Sequence, residues 1–195
     1  MAKVVNEMTA DAGNNCEREY DFALIVAGVQ ELSDDVLDAL FAAGCDDTTP
    51  SMQYGLLYLE FSRSAASLQH AIISAIQDVL KAGLNAQVLR VDDCNLVTQA
   101  EIARRIGRSR QLVHQYMTGE RGPGGFPPPA CHLTERKPLW QWCAVSYWLS
   151  TNNLLRQEEC WNAAVVEAIN NLLERQQMPP GLFEEVSGLL AFLTK

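Results

Sequence analysis

The stretch TQAEIARRIGRSRQLVHQYMTGERG, residues 98–122, has the most specific spacing in the chain. Its apolar positions fall three and four residues apart, as on one face of each of two helices: Ile102, Ala103 and Ile106, then Leu112, Val113 and Tyr116. Between them, Gly107 tolerates the left-handed backbone of a tight turn, and Ser109 can cap the second helix. The small side chain of Ala103 lets the helices approach closely. We expect two short helices that cross at a steep angle.

This spacing resembles that of bacterial helix-turn-helix regulators, in which the second helix lies in the DNA major groove. The resemblance implies four residues that read base edges: Arg110, Gln111, His114 and Gln115. Arginine can bond to guanine O6 and N7, and glutamine to adenine N6 and N7. It also implies three phosphate contacts from the first helix and the turn: Arg104, Arg105 and Arg108. The family usually has an apolar residue where Arg108 stands, so we expect this side chain to point outward. The alternatives are an ordinary α-hairpin with solvated arginines and, for His114, a position on the helix surface without a role.

The following segment predicts a hairpin rather than further helix. Glycines and prolines fill residues 122–129, which favours extended chain. We expect hairpin arms near residues 130–133 and 139–142, with a tip at 134–137 and a closing helix over 143–149. The phrase FPPPACHLTERKPLWQWCAVSYWL, residues 126–149, resembles the wing and last helix of the excisionase/AlpA-like and MerR-like families.

Together, the two resemblances cover residues 98–150 only. They imply that Arg136 and Lys137 at the wing tip contact the minor groove or the backbone of DNA, with Arg121 near the start of the hairpin. We expect the wing tryptophans to pack in the core, because large apolar side chains must hold a wing against the helices; base stacking is the alternative.

Upstream, residues 19–95 alternate strand and helix patterns in the order β-α-β-β-α-β, after a polar leader over residues 1–18. We expect strands near residues 20–28, 45–49, 55–63 and 86–91, and helices over 33–44 and 67–82. This order resembles the ferredoxin-like split βαβ arrangement in topology alone. That fold hosts many functions, so it implies no activity.

The tail, residues 151–195, predicts two amphipathic helices over 153–177 and 182–192, separated by Pro179, Pro180 and Gly181. Such an α-hairpin can pack on its own chain or on a second copy. Helix-turn-helix proteins commonly read paired half-sites as dimers, so we expect a homodimer held by the apolar faces of these two helices.

Charge is distributed unevenly along the 195 residues, whose net charge is −9. Residues 1–95 carry five Lys/Arg against fifteen Asp/Glu, residues 96–150 carry seven against three, and residues 151–195 carry three against six. A basic segment between acidic flanks is typical of a local polyanion-binding site. The alternative is an uneven but solvated surface.

Other classes of site find little support in the sequence. The six cysteines lack a CxxC pair, so we expect thiols without a metal. His132 beside Cys131, and Asp92 and Asp93 near Cys94, lack the nucleophile, base and orienting group of a catalytic site. We therefore expect no enzyme and no cofactor, and a cytoplasmic protein without a signal peptide or a membrane partner.

The sequence thus predicts an α+β protein with a ferredoxin-like βαββαβ N-terminal domain, a winged helix-turn-helix over residues 96–150 and a C-terminal helical hairpin. The leading functional hypothesis is a sequence-specific double-stranded DNA-binding protein, a bacterial or phage-derived transcriptional regulator. The alternative is an interaction adaptor or antitoxin-like protein whose acidic N-terminal domain binds a protein partner.

Overall fold

The structure, a computed structural model, describes residues 17–134 and 137–190. Within these residues the chain is mixed α+β, with seven helices and two antiparallel sheets, and this confirms the expected fold class. The elements follow in order: β1 (Arg18–Ala27), α1 (Asp34–Ala42), β2 (Thr48–Gln53), β3 (Leu56–Ala65), α2 (Leu68–Lys81), β4 (Gln87–Val91), β5 (Leu96–Val97), α3 (Gln99–Arg105), α4 (Arg110–Thr118), β6 (Trp140–Gln141), α5 (Trp142–Thr151), α6 (Gln157–Gln177) and α7 (Leu182–Leu190).

The first four strands form one sheet in the order β2-β3-β1-β4, with every neighbouring pair antiparallel. Alternate residues of β1 and β3 point into the core, so that Leu24, Val26, Leu57 and Leu59 are fully buried. The helix α2 packs over them through Ile72, Ala75 and Val79, among other residues. Ser33 and Ser67 cap α1 and α2 by accepting a backbone N–H three residues on.

Two N-terminal boundaries differ from the expected ones. Most of the expected leader, residues 1–16, lies outside the described residues, but Arg18 already belongs to β1. The second strand was expected at residues 45–49 and instead spans Thr48–Gln53. Cys45 is buried at the end of α1, where its N–H donates to the carbonyl of Leu40; burial raises the pKa of its thiol to about 11. Pro50 is tolerated because β2 is an edge strand.

A buried arginine joins this sheet to both of its helices. Arg63 in β3 is 7% exposed. Its guanidinium donates to Asp47 at 2.6 Å, to Asp78 at 2.9 Å and to the carbonyl of Gly44 at 2.9 Å. These hydrogen bonds to two carboxylates raise its pKa. The charge is paired on both sides, which is the condition under which a protein interior holds one.

The long helix α6 closes the edge of the sheet instead of standing apart from it. The side chain of Asn170 accepts from the N–H of Val91 at 2.7 Å and donates to the carbonyl of the same residue at 3.1 Å. Val166 and Leu173 enter the core of the sheet. The inner face of α6 therefore packs within its own chain, which was one of the two arrangements the sequence left open.

The outer face of α6 remains exposed at Trp161 and Leu172, and α7 is exposed along its described side chains. The expected start of the tail helix at residue 153 is displaced to Gln157. Asn153 takes a left-handed φ of 57°, and this turn separates α5 from α6. Among the described residues, no helix combines the length and apolarity needed to cross a membrane.

Candidate nucleic-acid interface

Helices α3 and α4 meet at the turn that the sequence predicted. Thr98 and Ser109 cap them by accepting the N–H of Glu101 and of Leu112, each at 3.2 Å. Gly107 between them has a φ of 61°, in the left-handed region that glycine adopts without strain. The side chain of Gln99 donates to the carbonyl of Arg110 at 2.8 Å and so ties the first turn of α3 to the first turn of α4.

A single core holds the two helices against α5. Ile102, Val113, Val145 and Leu149 are fully buried. The three tryptophans of this region, Trp140, Trp142 and Trp148, are each at most 8% exposed. They are core residues, as expected, and are not available for stacking on bases.

Two of these tryptophans also hold the loop that follows α4. Trp148 Nε1 donates to the carbonyl of Gly124 at 2.9 Å, and Trp140 Nε1 donates to that of Pro127 at 3.2 Å. Gly122 has a φ of 86°, and a Cβ there would lie 3.0 Å from the ring of Tyr116, so only glycine fits. The loop from Gly119 to Pro129 is therefore fixed to the α4–α5 core.

The hairpin is shorter than expected. The arms meet at one bridge between Cys131 and Leu139. His132 takes a φ of 58°, which ends the extended pairing, and Trp142 already belongs to α5. Instead, β6 pairs with β5, the two-residue strand that lies just before α3. No pattern in the sequence predicted β5.

The four expected base-reading residues share one side of α4. Arg110, Gln111 and His114 are exposed and Gln115 is half-buried, whereas Val113 and Tyr116 on the opposite side are buried. Thus α4 is anchored by its inner face and presents two amides, a guanidinium and an imidazole outward. Together these groups offer both donors and acceptors, the guanidinium as a donor only, and base edges require both kinds.

Four of the other expected DNA contacts are exposed as well: Arg104, Arg108, Arg121 and Lys137. Lys137 and Arg110 both line one cleft of about 540 Å³, together with Gln99 and His132. The cleft brings the start of α4 beside the base of the hairpin. Arg136 lies outside the described residues.

Arg105 differs from the other expected phosphate contacts that the structure describes, because its side chain is largely buried as well as ion-paired. Its side chain is 17% exposed and lies 2.8 Å from Asp93 and 3.2 Å from Glu101. It also donates to the carbonyl of Cys94 and stacks 4.9 Å above the ring of Trp142. Arg105 fixes the linker before α3 onto α5, so its position favours a structural role over a phosphate contact.

Glu101 connects the two arginines of α3. It lies 2.5 Å from Arg104 and 3.2 Å from Arg105. Hydrogen bonds from both guanidinium groups lower the pKa of its carboxyl to about 2. At neutral pH Glu101 is therefore a carboxylate that faces both guanidinium groups, and Asp93 adds a second carboxylate beside Arg105.

Asn95 connects several helices through hydrogen bonds, and the sequence analysis did not predict this role. Its side chain accepts the N–H of Cys143 at 3.1 Å and donates to Glu167 at 2.8 Å, and its carbonyl accepts the N–H of Trp142. It links the α3–α5 unit to α6. Lone asparagines in loops are common, so no sequence signal marks this one.

The acidic cluster considered for catalysis, Asp92 and Asp93, makes other contacts. Asp92 accepts a hydrogen bond from the hydroxyl of Tyr58 at 2.9 Å, which raises the pKa of that phenol to about 12. Asp93 pairs with Arg105. Within residues 17–134 and 137–190, no group of three His, Cys, Asp or Glu side chains is placed to hold a metal ion.

Comparisons of the chain with protein-family models, with curated proteins and with solved structures find no match.

Proposed function

We propose that this chain is a sequence-specific double-stranded DNA-binding protein, of the kind that regulates transcription in bacteria or their phages, and that it has no catalytic activity. The observation that carries the proposal is the two-sided character of α4. Val113 and Tyr116 anchor one side in a rigid core, while Arg110, Gln111 and His114 on the other side are exposed. A helix presented in this way fits the major groove of B-form DNA.

The proposed fold is a ferredoxin-like sheet domain followed by a winged helix-turn-helix. The strand order β2-β3-β1-β4, with helices between β1 and β2 and between β3 and β4, supports the first. The turn at Gly107 and the bridge from Cys131 to Leu139 support the second. In this arrangement α4 is the reading helix and the hairpin is the wing.

The charges around α4 support a polyanionic ligand. Arg104, Arg108, Arg121 and Lys137 are exposed, and the sheet domain is acidic. The acidic domain would be repelled by DNA, which would favour binding with α4 foremost. Neutralisation of about four phosphates gives a slope of log affinity against log salt near −3.6.

The test is selection of bound sequences from a random duplex pool, followed by affinity measurement at several salt concentrations. We expect an enriched motif and a loss of roughly a hundredfold in affinity between about 50 and 200 mM salt. The absence of an enriched motif, or an affinity that does not change with salt, would contradict the proposal.

An interaction adaptor is the second candidate, favoured by the charge of the sheet. Glu19 and Asp21 in β1 and Glu60 in β3 are exposed, and Ser62 lies within 2.7 Å of both Glu19 and Asp21. A basic protein partner would complement this surface. A partner from the native host that is retained by the chain, and lost when these three carboxylates become amides, would favour the adaptor if the duplex selection finds no motif.

A further inference from the structure

The outer face of α6 carries an apolar stripe that residues 17–134 and 137–190 leave open. Trp161 is 56% exposed and Leu172 is 62% exposed. Between them Ala164 is half-buried and Ala168 is exposed. The spacing of three, four and four residues places all four side chains on one line along the helix. The stripe therefore has a large residue at each end and small residues in the middle.

A second apolar surface begins where this stripe ends. Leu182, Phe183, Val186 and Leu189 of α7 are each between 41% and 59% exposed. The guanidinium of Arg175 lies 3.7 Å from the centre of the Phe183 ring and 3.6 Å from Glu184. Since Arg175 follows Leu172 by one turn of α6, α7 starts beside the stripe, and the two surfaces are continuous.

An open groove lies at the other end of α6. It has a volume of about 1260 Å³ and is lined in part by Tyr147, Leu154 and Trp161, all of them more than 40% exposed. With 21 residues, α6 is about 31 Å long. The groove and α7 are therefore separated by about the length of this helix.

We propose that a second copy of the chain covers this surface, with the two α6 helices antiparallel across a twofold axis near the middle of the helix. In this register Trp161 packs on the partner's Leu172, and Ala164 faces the partner's Ala168. The small residues at the crossing let the helix axes approach closely. Each α7 then reaches the partner's groove, so both unpartnered surfaces are covered by one symmetric contact.

Charge complementarity favours this occupant and this direction. The same register places Arg175, with a side chain 50% exposed, beside the partner's Glu158, with a side chain 40% exposed. A parallel pair would instead place each of these charges beside its own kind. Both groups already have contacts within the chain, with Glu184 and Arg18, so they would set the register of the pair more than its affinity.

The functional meaning of this dimer rests on the proposed function, because two copies would present two α4 helices to paired half-sites. The association itself does not depend on DNA, so it is tested without DNA. A monomeric chain that still selects a duplex motif would overturn the dimer alone. A dimer that selects no motif would count against DNA binding alone.

The first experiment is sedimentation equilibrium of the full chain and of three variants. We expect the wild type to reach twice the 21.6 kDa chain mass at roughly micromolar concentration, and Trp161→Asp and Leu172→Asp to raise the dissociation constant at least about thirtyfold. Phe41→Asp is the matched control, since Phe41 is 70% exposed on α1, away from the stripe. A monomeric wild type, or a dimer unchanged by Trp161→Asp, would overturn the proposal.

The second experiment tests whether the two α6 helices are antiparallel, and it does not require a variant that weakens the dimer. Ala164→Cys and Ala168→Cys chains are mixed and treated with a short thiol cross-linker, and the linked peptides are identified by mass to separate them from native cysteines. Antiparallel packing predicts links between the two different variants. Links formed mainly between identical positions would show a parallel pair and contradict the register.

Discussion

Two consecutive arginines in α3 have opposite surroundings. Arg104 has a side chain 74% exposed and contacts Glu101 alone among the described groups, whereas the Arg105 side chain is 17% exposed and holds Asp93, Glu101 and the carbonyl of Cys94. Both residues were predicted to contact phosphate, because the sequence shows their spacing but not which one points toward α5.

Because of this difference, substitution by alanine should destabilise the fold at Arg105 but not at Arg104. Arg105→Ala should lower the free energy of unfolding by about 1.5–3 kcal/mol, since it removes charge-assisted hydrogen bonds and the stacking on Trp142. Arg104→Ala should leave it almost unchanged but reduce the salt dependence of duplex binding. Urea denaturation of both variants measures the first effect; equal losses of stability would contradict the assignment.

Asn170 offers a second residue-level prediction. It satisfies both the N–H and the carbonyl of Val91 at the edge of the sheet and is 5% exposed. Asn170→Ala leaves the N–H of Val91 without a partner, at a cost of about 1–3 kcal/mol, while the carbonyl of Val91 still accepts from the N–H of Asp93. The neighbouring Asn171 is exposed, so Asn171→Ala is a matched control that should cost less than about 0.5 kcal/mol. Thermal unfolding compares the two, and similar melting temperatures would argue against this cap.

Alanine substitutions in α4 should change the DNA sequence preference, whereas a substitution in the wing should change only the affinity. Arg110→Ala or Gln111→Ala should relax preference at one base pair, at a cost of about 1–3 kcal/mol. Lys137→Ala should weaken binding to all duplexes alike and reduce the salt slope by about one. Repeating the duplex selection with each variant measures both effects. A motif unchanged by Arg110→Ala but altered by Lys137→Ala would mean that the wing reads the DNA.

Among the elements, α3 shows a pH dependence that can be predicted with its sign. The folded pKa of Glu101 is about 2, against a usual 4.5, so its contribution to stability is complete above about pH 4.5 and is lost as the pH falls through 2. The side chain is 31% exposed, so we expect less than about 1 kcal/mol. The stability difference between wild type and Glu101→Gln should shrink across this range; a constant difference would contradict the ion pairs.

Helices were easier to predict from the sequence than the strands and their partners. The turn between α3 and α4 follows from local signals, namely Ser109 as a cap, Gly107 at the corner and apolar residues at helical spacing. By contrast, β5 has two residues, too few to show any period, and it exists only because β6 pairs with it. The hairpin arms were overestimated because nothing in the sequence shows that His132 adopts a left-handed backbone.

At the candidate site, too, local features were predicted from the sequence and long-range contacts were not. The exposure of Arg110, Gln111 and His114 follows from the same periodicity that buries Val113 and Tyr116. The engagement of Arg105 depends on Asp93 and Trp142, which are 12 and 37 residues away in the chain, and periodicity carries no information on such contacts. The role of α6 is missed for the same reason, since its apolar pattern shows two usable faces but not which one meets β4.

At the scale of the whole molecule, α6 connects the two halves of the chain. Val166 and Leu173 belong to the core of the large sheet, and Ala163 belongs to the core of the α3–α5 unit. Asn95 adds a polar link through Glu167. A rigid link of this kind would hold the acidic sheet at a fixed orientation to α4. Repulsion between the sheet and DNA can favour binding through α4 only if this orientation is fixed.

This connection predicts what truncation would do. A chain that ends after Ser150 lacks α6 and loses the burial of Val166 and Leu173 and the cap on Val91, together roughly 5–9 kcal/mol, which is comparable to the total stability of a domain at about 5–15 kcal/mol. We expect its unfolding in urea to lose cooperativity and its near-ultraviolet circular dichroism to weaken. A chain that ends after Gln177 keeps these contacts and lacks only α7, so it should unfold cooperatively with its stability changed by less than about 1 kcal/mol, while its dimer weakens. If the shorter chain unfolds as cooperatively as the longer one and at the same urea concentration, then α6 does not complete the core and the sheet domain folds without it.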